Sequence, residues 1–143
     1  MIYLDTSYIV KCYLCESGTD AVLNWLQGKS SLFCCLHGRL ELFAAFKRHV
    51  REGRLTEKNA RNSLSLLERD EKAGIWQWIP ISEQLIQEAC MRMASLRTNI
   101  FIRAADALHL TCAAENGFKV VYSHDRHLLA AAEYFGVEGR DIL

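Results

Sequence analysis

Ile2-Tyr3-Leu4-Asp5-Thr6-Ser7 is an apolar run too short for a helix, closed by an acid and two hydroxyls. Such a run reads as a short strand, and Asp before Thr-Ser is the signature of a helix start. The same grammar returns near the other end, where Val120-Val121-Tyr122-Ser123-His124-Asp125 closes a strand expected over Lys119 to Ser123. Two further strands are expected between them, Ser31 to Cys35 and Trp76 to Ile79, the latter stopped by Pro80. Apolar periodicity places helices over Ser7 to Cys15, from Thr19 to the stop at Gly28, and over Leu40 to Glu52, Thr56 to Lys72, Ser82 to Leu96, Arg103 to Asn116 and Asp125 to Phe135. Val137 to Leu143 can add an edge strand. Strands separated by helices make an α/β fold, a mostly parallel sheet of about four or five strands with helices on both faces. Ligands of such sheets sit beyond the carboxyl ends of the strands, which is where Asp5 and Asp125 fall.

Two more acids lie in settings where an acid is hard to explain. Glu41 is set in the apolar segment Leu40 to Phe46, and Asp106 in Ala104 to Ala114, which is apolar nearly all round and so marks a buried helix. Taken singly, each acid has a plain reading. Asp5 and Asp125 can cap the helices that follow them, Glu41 can pair with Arg39 or Lys47, and Asp106 can pair with Arg103. Taken together they point to a shared cation. Two like charges about 4 Å apart repel by roughly 4 kcal/mol at an effective dielectric near 20, and a hard divalent ion, Mg²⁺ or Mn²⁺, relieves that repulsion through oxygen ligands. Acids arriving on four different elements have to converge in space, so their sequence spacing matters little.

The 143 residues suit one domain spanning 1–143 with a real core. Formal net charge is zero, so any footprint for nucleic acid must be local. No basic leader and no apolar run of membrane-spanning length is present, and a cytoplasmic protein is expected. Its six cysteines are then expected as free thiols, with Cys90 and Cys112 as small core fillers rather than zinc ligands. Adjacent Cys34 and Cys35 are awkward for one tetrahedral ion, as is a Cys12-x-x-Cys15 pair in a helix.

Tyr3-Leu4-Asp5-Thr6-Ser7, Leu40-Glu41-Leu42, Arg103-Ala104-Ala105-Asp106-Ala107-Leu108-His109-Leu110 and Val121 to Leu128 resemble, in order, the four acidic motifs of the PIN-domain ribonucleases. Within that family the chain is most similar to the VapC-type toxins of prokaryotic toxin–antitoxin pairs, and the resemblance runs over essentially its whole length. It implies a Rossmann-like fold, a divalent metal, endonucleolytic cleavage of RNA, neutralisation by a cognate antitoxin and a homodimer. Carried over by position, Asp5, Glu41, Asp106 and Asp125 are the catalytic and metal-site acids. Thr6 and Ser123 are the hydroxyls expected to hydrogen-bond them, with Ser123 standing where the family has Thr or Ser. Upstream of the glutamate the family tends to carry a Ser and a Thr where this chain has Cys35 and Gly38.

Arg103, Arg126 and Lys47 are candidate RNA contacts, though Lys47-Arg48-His49-Val50-Arg51 also reads as a solvated helix face. His37 is expected at the surface with some chance of facing the site, and His109 as a polar residue of the core. The competing class is a catalytically inactive PIN-fold module for RNA or protein binding. A haloacid-dehalogenase-like phosphatase would want an acid at position 7, where Ser7 stands, and a receiver-type domain would want a lysine at a late strand end, whereas Lys119 begins its strand.

Overall fold

The computed structural model describes residues 1–143. Its strands are β1 (Ile2–Leu4), β2 (Leu32–Cys35), β3 (Trp76–Ile79), β4 (Val120–Tyr122) and β5 (Glu138–Arg140). All pair in parallel in the order β3-β2-β1-β4-β5, with Ile2 against Leu32, Leu4 against Tyr122 and Val121 against Gly139. Numbering descends along the sheet to β1 and then jumps to β4, so chain direction across the sheet reverses between them. That switch point is where a doubly wound sheet opens a crevice at its strand ends.

Strand alternation sorts the core into two layers. Tyr3, Cys35 and Val121 face one side and pack with Leu110, Phe118 and Phe135. Leu4 and Cys34 face the other and pack with Tyr8, Leu42, Phe46 and Leu67. Helices α1 (Thr6–Tyr13), α2 (Thr19–Leu26), α3 (His37–Arg51) and α4 (Glu57–Lys72) cover the second side. Helices α5 (Glu83–Ser95), α6 (Ala104–Glu115) and α7 (Arg126–Ala131) cover the first. No helix is long and apolar enough to cross a membrane.

Several expected boundaries shift, each for a local reason. Helix α3 starts at His37 rather than Leu40, over a residue, Gly38, that has low helix propensity but is buried against neighbouring elements. The helix expected over Asp125 to Phe135 tightens after Ala131 into a 3-10 segment, Ala132–Phe135, closed by left-handed Gly136. Helix α1 stops at Tyr13, which leaves Cys15 exposed outside it. Thr56 caps α4 one way only, accepting the Asn59 N–H at 3.1 Å. Cys112 is buried as expected, but Cys90 is exposed and fills no core; α5 shows the solvent that side of its turn.

Candidate acidic metal centre

Each of the four acids is delivered by a different element. Asp5 follows β1 and caps α1, its Oδ1 accepting the Ser7 N–H at 3.1 Å and the Ser7 hydroxyl at 2.6 Å. Its Oδ2 accepts the Ser123 hydroxyl at 2.8 Å, across the switch point. Ser123 Oγ accepts in turn from the Asp125 N–H at 2.9 Å, so one hydroxyl ties the two strand ends together. Asp125 caps α7, its Oδ1 accepting from the His127 and Leu128 N–H groups at 2.8 and 3.2 Å. Asp106 stands in the first turn of α6 and Glu41 one turn into α3, near helix N-termini that favour acids. All four line one cleft of about 700 Å³, together with Thr6, and Lys47, Arg48, Arg51 and Arg103 stand on its walls.

The acids are held in different electrostatic states. Asp5 is only 4% exposed, and burial pushes its carboxyl above the ordinary range, partly offset by His109 and by the Ser7 and Ser123 hydroxyls. Its hydrogen-bond donors are all uncharged. Burial also pushes Asp125 up, but the two N–H bonds at its cap and the Arg103 guanidinium outweigh it and hold the group low. Arg103 bridges two of the acids, with Nε 3.0 Å from Asp106 and Nη2 on Asp125. That side chain is 58% exposed, so the bridge is solvent-screened and readily exchanged for another partner.

Glu41 departs from both partners expected of it. Arg39 pairs with Glu71 at 2.7 Å, while Glu41 Oε2 accepts the Thr6 hydroxyl at 2.6 Å and faces His109 Nε2 at 3.0 Å. Burial works against its ionisation, yet His109 and Thr6 hold the carboxyl down at about 2. All of its hydrogen bonds fall on Oε2, which leaves Oε1 for the cleft.

The family model for the PIN domain matches residues 2–134. The chain belongs to the PIN-domain family. Among solved structures this PIN domain is similar to the Mycobacterium tuberculosis protein VapC20, described as a sarcin–ricin-loop-cleaving toxin, with a TM-score of 0.72 at 14% identity over 92% of this chain and 95% of that one. It is also similar to FitAcB from Neisseria gonorrhoeae, with a TM-score of 0.69 at 21% identity over 97% and 96%. No curated protein matches its sequence.

Other sequence-based expectations for this PIN domain divide. Thr6 and Ser123 do hydrogen-bond Glu41 and Asp5. Arg103 and Lys47 line the cleft, and so do Arg48 and Arg51, which the solvated-face reading had set aside. Arg126 does not; it is exposed beside His127, because α7 turns it outward. His37 is not a surface group. Its side chain is 14% exposed, its Nε2 donates to Ala105 O at 3.1 Å, and its ring lies 4.1 Å from that of His109. His109 is buried as expected, but its contact with Glu41 could not be foreseen, since 68 residues separate them. Ser7 was also missed, although a hydroxyl two residues after a capping acid is a recognisable signal.

Two measurable consequences arise here. Ser123→Ala removes the shared hydroxyl between Asp5 and Asp125 and is expected to weaken divalent-metal affinity by about 10–100-fold, as loss of ligand-orienting partners does; calorimetry with Mn²⁺ reads it. The Glu41–His109 pair also sets a pH window. With Glu41 lowered to about 2, its contribution to stability is present above its usual 4.5 and is lost as pH falls through 2. His109 is raised, since Glu41 and Asp5 outweigh the effect of burial, so its contribution is present below its usual 6.5 and is lost as pH climbs through the raised value. The melting advantage of wild type over Glu41→Gln is therefore expected to peak between pH 4.5 and 6.5 and shrink on either side.

Proposed function

We propose that this protein is a divalent-metal-dependent endoribonuclease and the toxin of a toxin–antitoxin pair. The observation that carries the reading is the convergence of Asp5, Glu41, Asp106 and Asp125, from four separate elements, on one cleft walled by basic side chains. The donor set fits Mg²⁺ or Mn²⁺: it is all oxygen, and the buried Asp5 meets only uncharged hydrogen-bond donors, so a bound cation would offset the cost of burying its charge. Such an ion, when bound, supplies a water acidic enough to attack at neutral pH and neutralises charge at the phosphate. Asp5, Asp106 and Asp125 would hold it, and Glu41 would hold a second ion or position the water.

Arg103 would trade its two carboxylates for a phosphate, whose oxygens its planar fork matches. Lys47, Arg48 and Arg51 would carry the neighbouring phosphates. Attack of water on phosphorus with departure of the 3′ oxygen leaves a 5′-phosphate and a 3′-hydroxyl. The likeness to a toxin described as cleaving the sarcin–ricin loop supports RNA as the substrate class.

Between α3 and α4 lies a smaller apolar groove of about 180 Å³, lined by Phe43, Phe46, Val50, Ala60 and Leu64. Lys47 lines both this groove and the cleft. An antitoxin segment seated there would reach the acids without a long span. A homodimer belongs to the same reading, and exposed Leu36 and Leu40 at the start of α3 are apolar groups such an interface would cover.

The test is incubation of the purified chain with RNA and Mn²⁺, followed by analysis of the ends. Cleavage that needs the ion and leaves a 5′-phosphate is expected; cleavage that persists in chelator, or cyclic-phosphate ends, overturns the mechanism. Expression alone should arrest growth. In a salt titration of RNA binding, Lys47→Ala, Arg48→Ala and Arg51→Ala should each reduce the log–log slope by about one, the signature of a lost phosphate contact.

A further inference from the structure

Beside the cleft, two imidazoles flank the Glu41 carboxylate. His37, Glu41 and His109 present three potential ligand atoms within 4.8 Å of one another. Their meeting point is Glu41 Oε2, which lies 3.0 Å from His109 Nε2 and 3.8 Å from His37 Nε2. A tetrahedral ion with ligand bonds of about 2.0–2.1 Å holds its ligands about 3.3 Å apart. The two observed separations bracket that figure, and all three atoms lie within 4.8 Å of one another, so side-chain adjustment would seat the set around an ion.

One of the two imidazoles has a partner on its far nitrogen, as metal-bound histidines usually do. His109 Nδ1 lies 3.1 Å from the Tyr3 hydroxyl. His37 Nδ1 is buried and has no hydrogen-bond partner as it stands, because the ring proton is spent on Nε2 toward Ala105 O. Binding at Nε2 would move that proton to Nδ1 and replace the bond to Ala105 O with a bond to the ion.

We propose that His37, His109 and Glu41 form a binding site for a borderline transition-metal ion, Zn²⁺, distinct from the all-oxygen site of the aspartates, with Thr6 Oγ or solvent in the fourth position. Imidazole pairs select Zn²⁺ over Mg²⁺, whereas carboxylate sets favour the hard ions. Two classes of ion are therefore sorted at adjoining sites that share Glu41. Resting on the nuclease reading, a consequence follows: Zn²⁺ draws Glu41 away from the aspartates and inhibits the Mn²⁺-supported reaction.

Calorimetric titration of the chelator-treated full chain with ZnCl₂, in excess Mg²⁺, tests the site. One equivalent is expected, weakened at least about tenfold in His37→Gln and in Glu41→Gln and unchanged in Asp106→Asn. His37 is the main probe because it is only partly buried and its loss spares the core, unlike His109. Co²⁺ in place of Zn²⁺ should give visible bands of a four-coordinate nitrogen–oxygen site without a thiolate charge-transfer band. Zn²⁺ binding that is absent, that His37→Gln leaves intact, or that carries a thiolate band from the cysteines overturns the proposal. In cleavage assays with Mn²⁺, equimolar Zn²⁺ should inhibit wild type while sparing the residual activity of His37→Gln. A chain that binds Zn²⁺ as described yet never cleaves RNA would sink the nuclease reading and leave the site standing.

Discussion

Asp5→Asn is expected to lower metal-dependent RNA cleavage by at least about 100-fold, since even outer partners of metal ligands cost about 10–100-fold. The same variant is expected to melt no lower than wild type at pH 7. Asp5 is buried, its hydrogen-bond partners carry no charge, and burial already pushes its carboxyl toward the neutral form. Asparagine keeps the shape and still accepts the Ser7 N–H, while removing a buried charge whose hydrogen-bond partners are all neutral. A function-bearing acid that costs stability is the trade expected of an active site. Cleavage within a few-fold of wild type would remove Asp5 from the mechanism, and a large loss of melting temperature would mean that it serves the fold instead.

Gly38→Ala is expected to destabilise the protein by about 1–3 kcal/mol, the usual cost of an overpacked core. In an ordinary helix the change would gain roughly 0.5–1 kcal/mol. Here a Cβ would lie 2.5 Å from Cys34 Sγ, 3.0 Å from Thr6 Oγ1 and 3.2 Å from His109 Cε1. Thr6 and His109 are the two groups that bond Glu41 Oε2, so the strain falls directly on the site and activity should drop with stability. Cys34 is fully buried in β2 and has no room to retreat. Denaturant unfolding reads the loss, and adding Cys34→Ala to Gly38→Ala should recover part of it through coupling of neighbours. A variant as stable as wild type would show that α3 can slide away from the sheet. With Cys34 Sγ and His109 this close, glycine is the residue that fits here.

The three acids at secondary-structure boundaries or in anomalous apolar company were readable from sequence because their settings are local. Asp5 and Asp125 end apolar runs, and Asp106 interrupts a helix with seven buried residues. Glu41 also stands out by its apolar segment, but its partners, Thr6 and His109, lie 35 and 68 residues away. The capping and cleft readings of Asp5 and Asp125 did not exclude one another, because a carboxylate has two oxygens and each here does two jobs. The start of α3 was misplaced because helix propensity penalises Gly38, while tertiary packing, which propensity does not encode, requires it. The basic stretch that holds Lys47, Arg48 and Arg51 had two readings in sequence for a related reason: a charge run declares that it meets water, but not which wall of which cleft it meets water in.

Sequence by itself determined the α/β order and the parallel sheet and picked out four acids in unusual settings, since hydrophobic periodicity and capping act over a few residues and leave their mark within a few residues. Only the tertiary structure decided the sharing of Ser123 between two aspartates, the clamp of Arg103 across Asp106 and Asp125, and the meeting of His37 and His109 at Glu41. Those contacts depend on the reversal of strand order between β1 and β4 and on the close approach of α3 to α6, and angstrom-scale convergence of distant segments has no local trace in the chain.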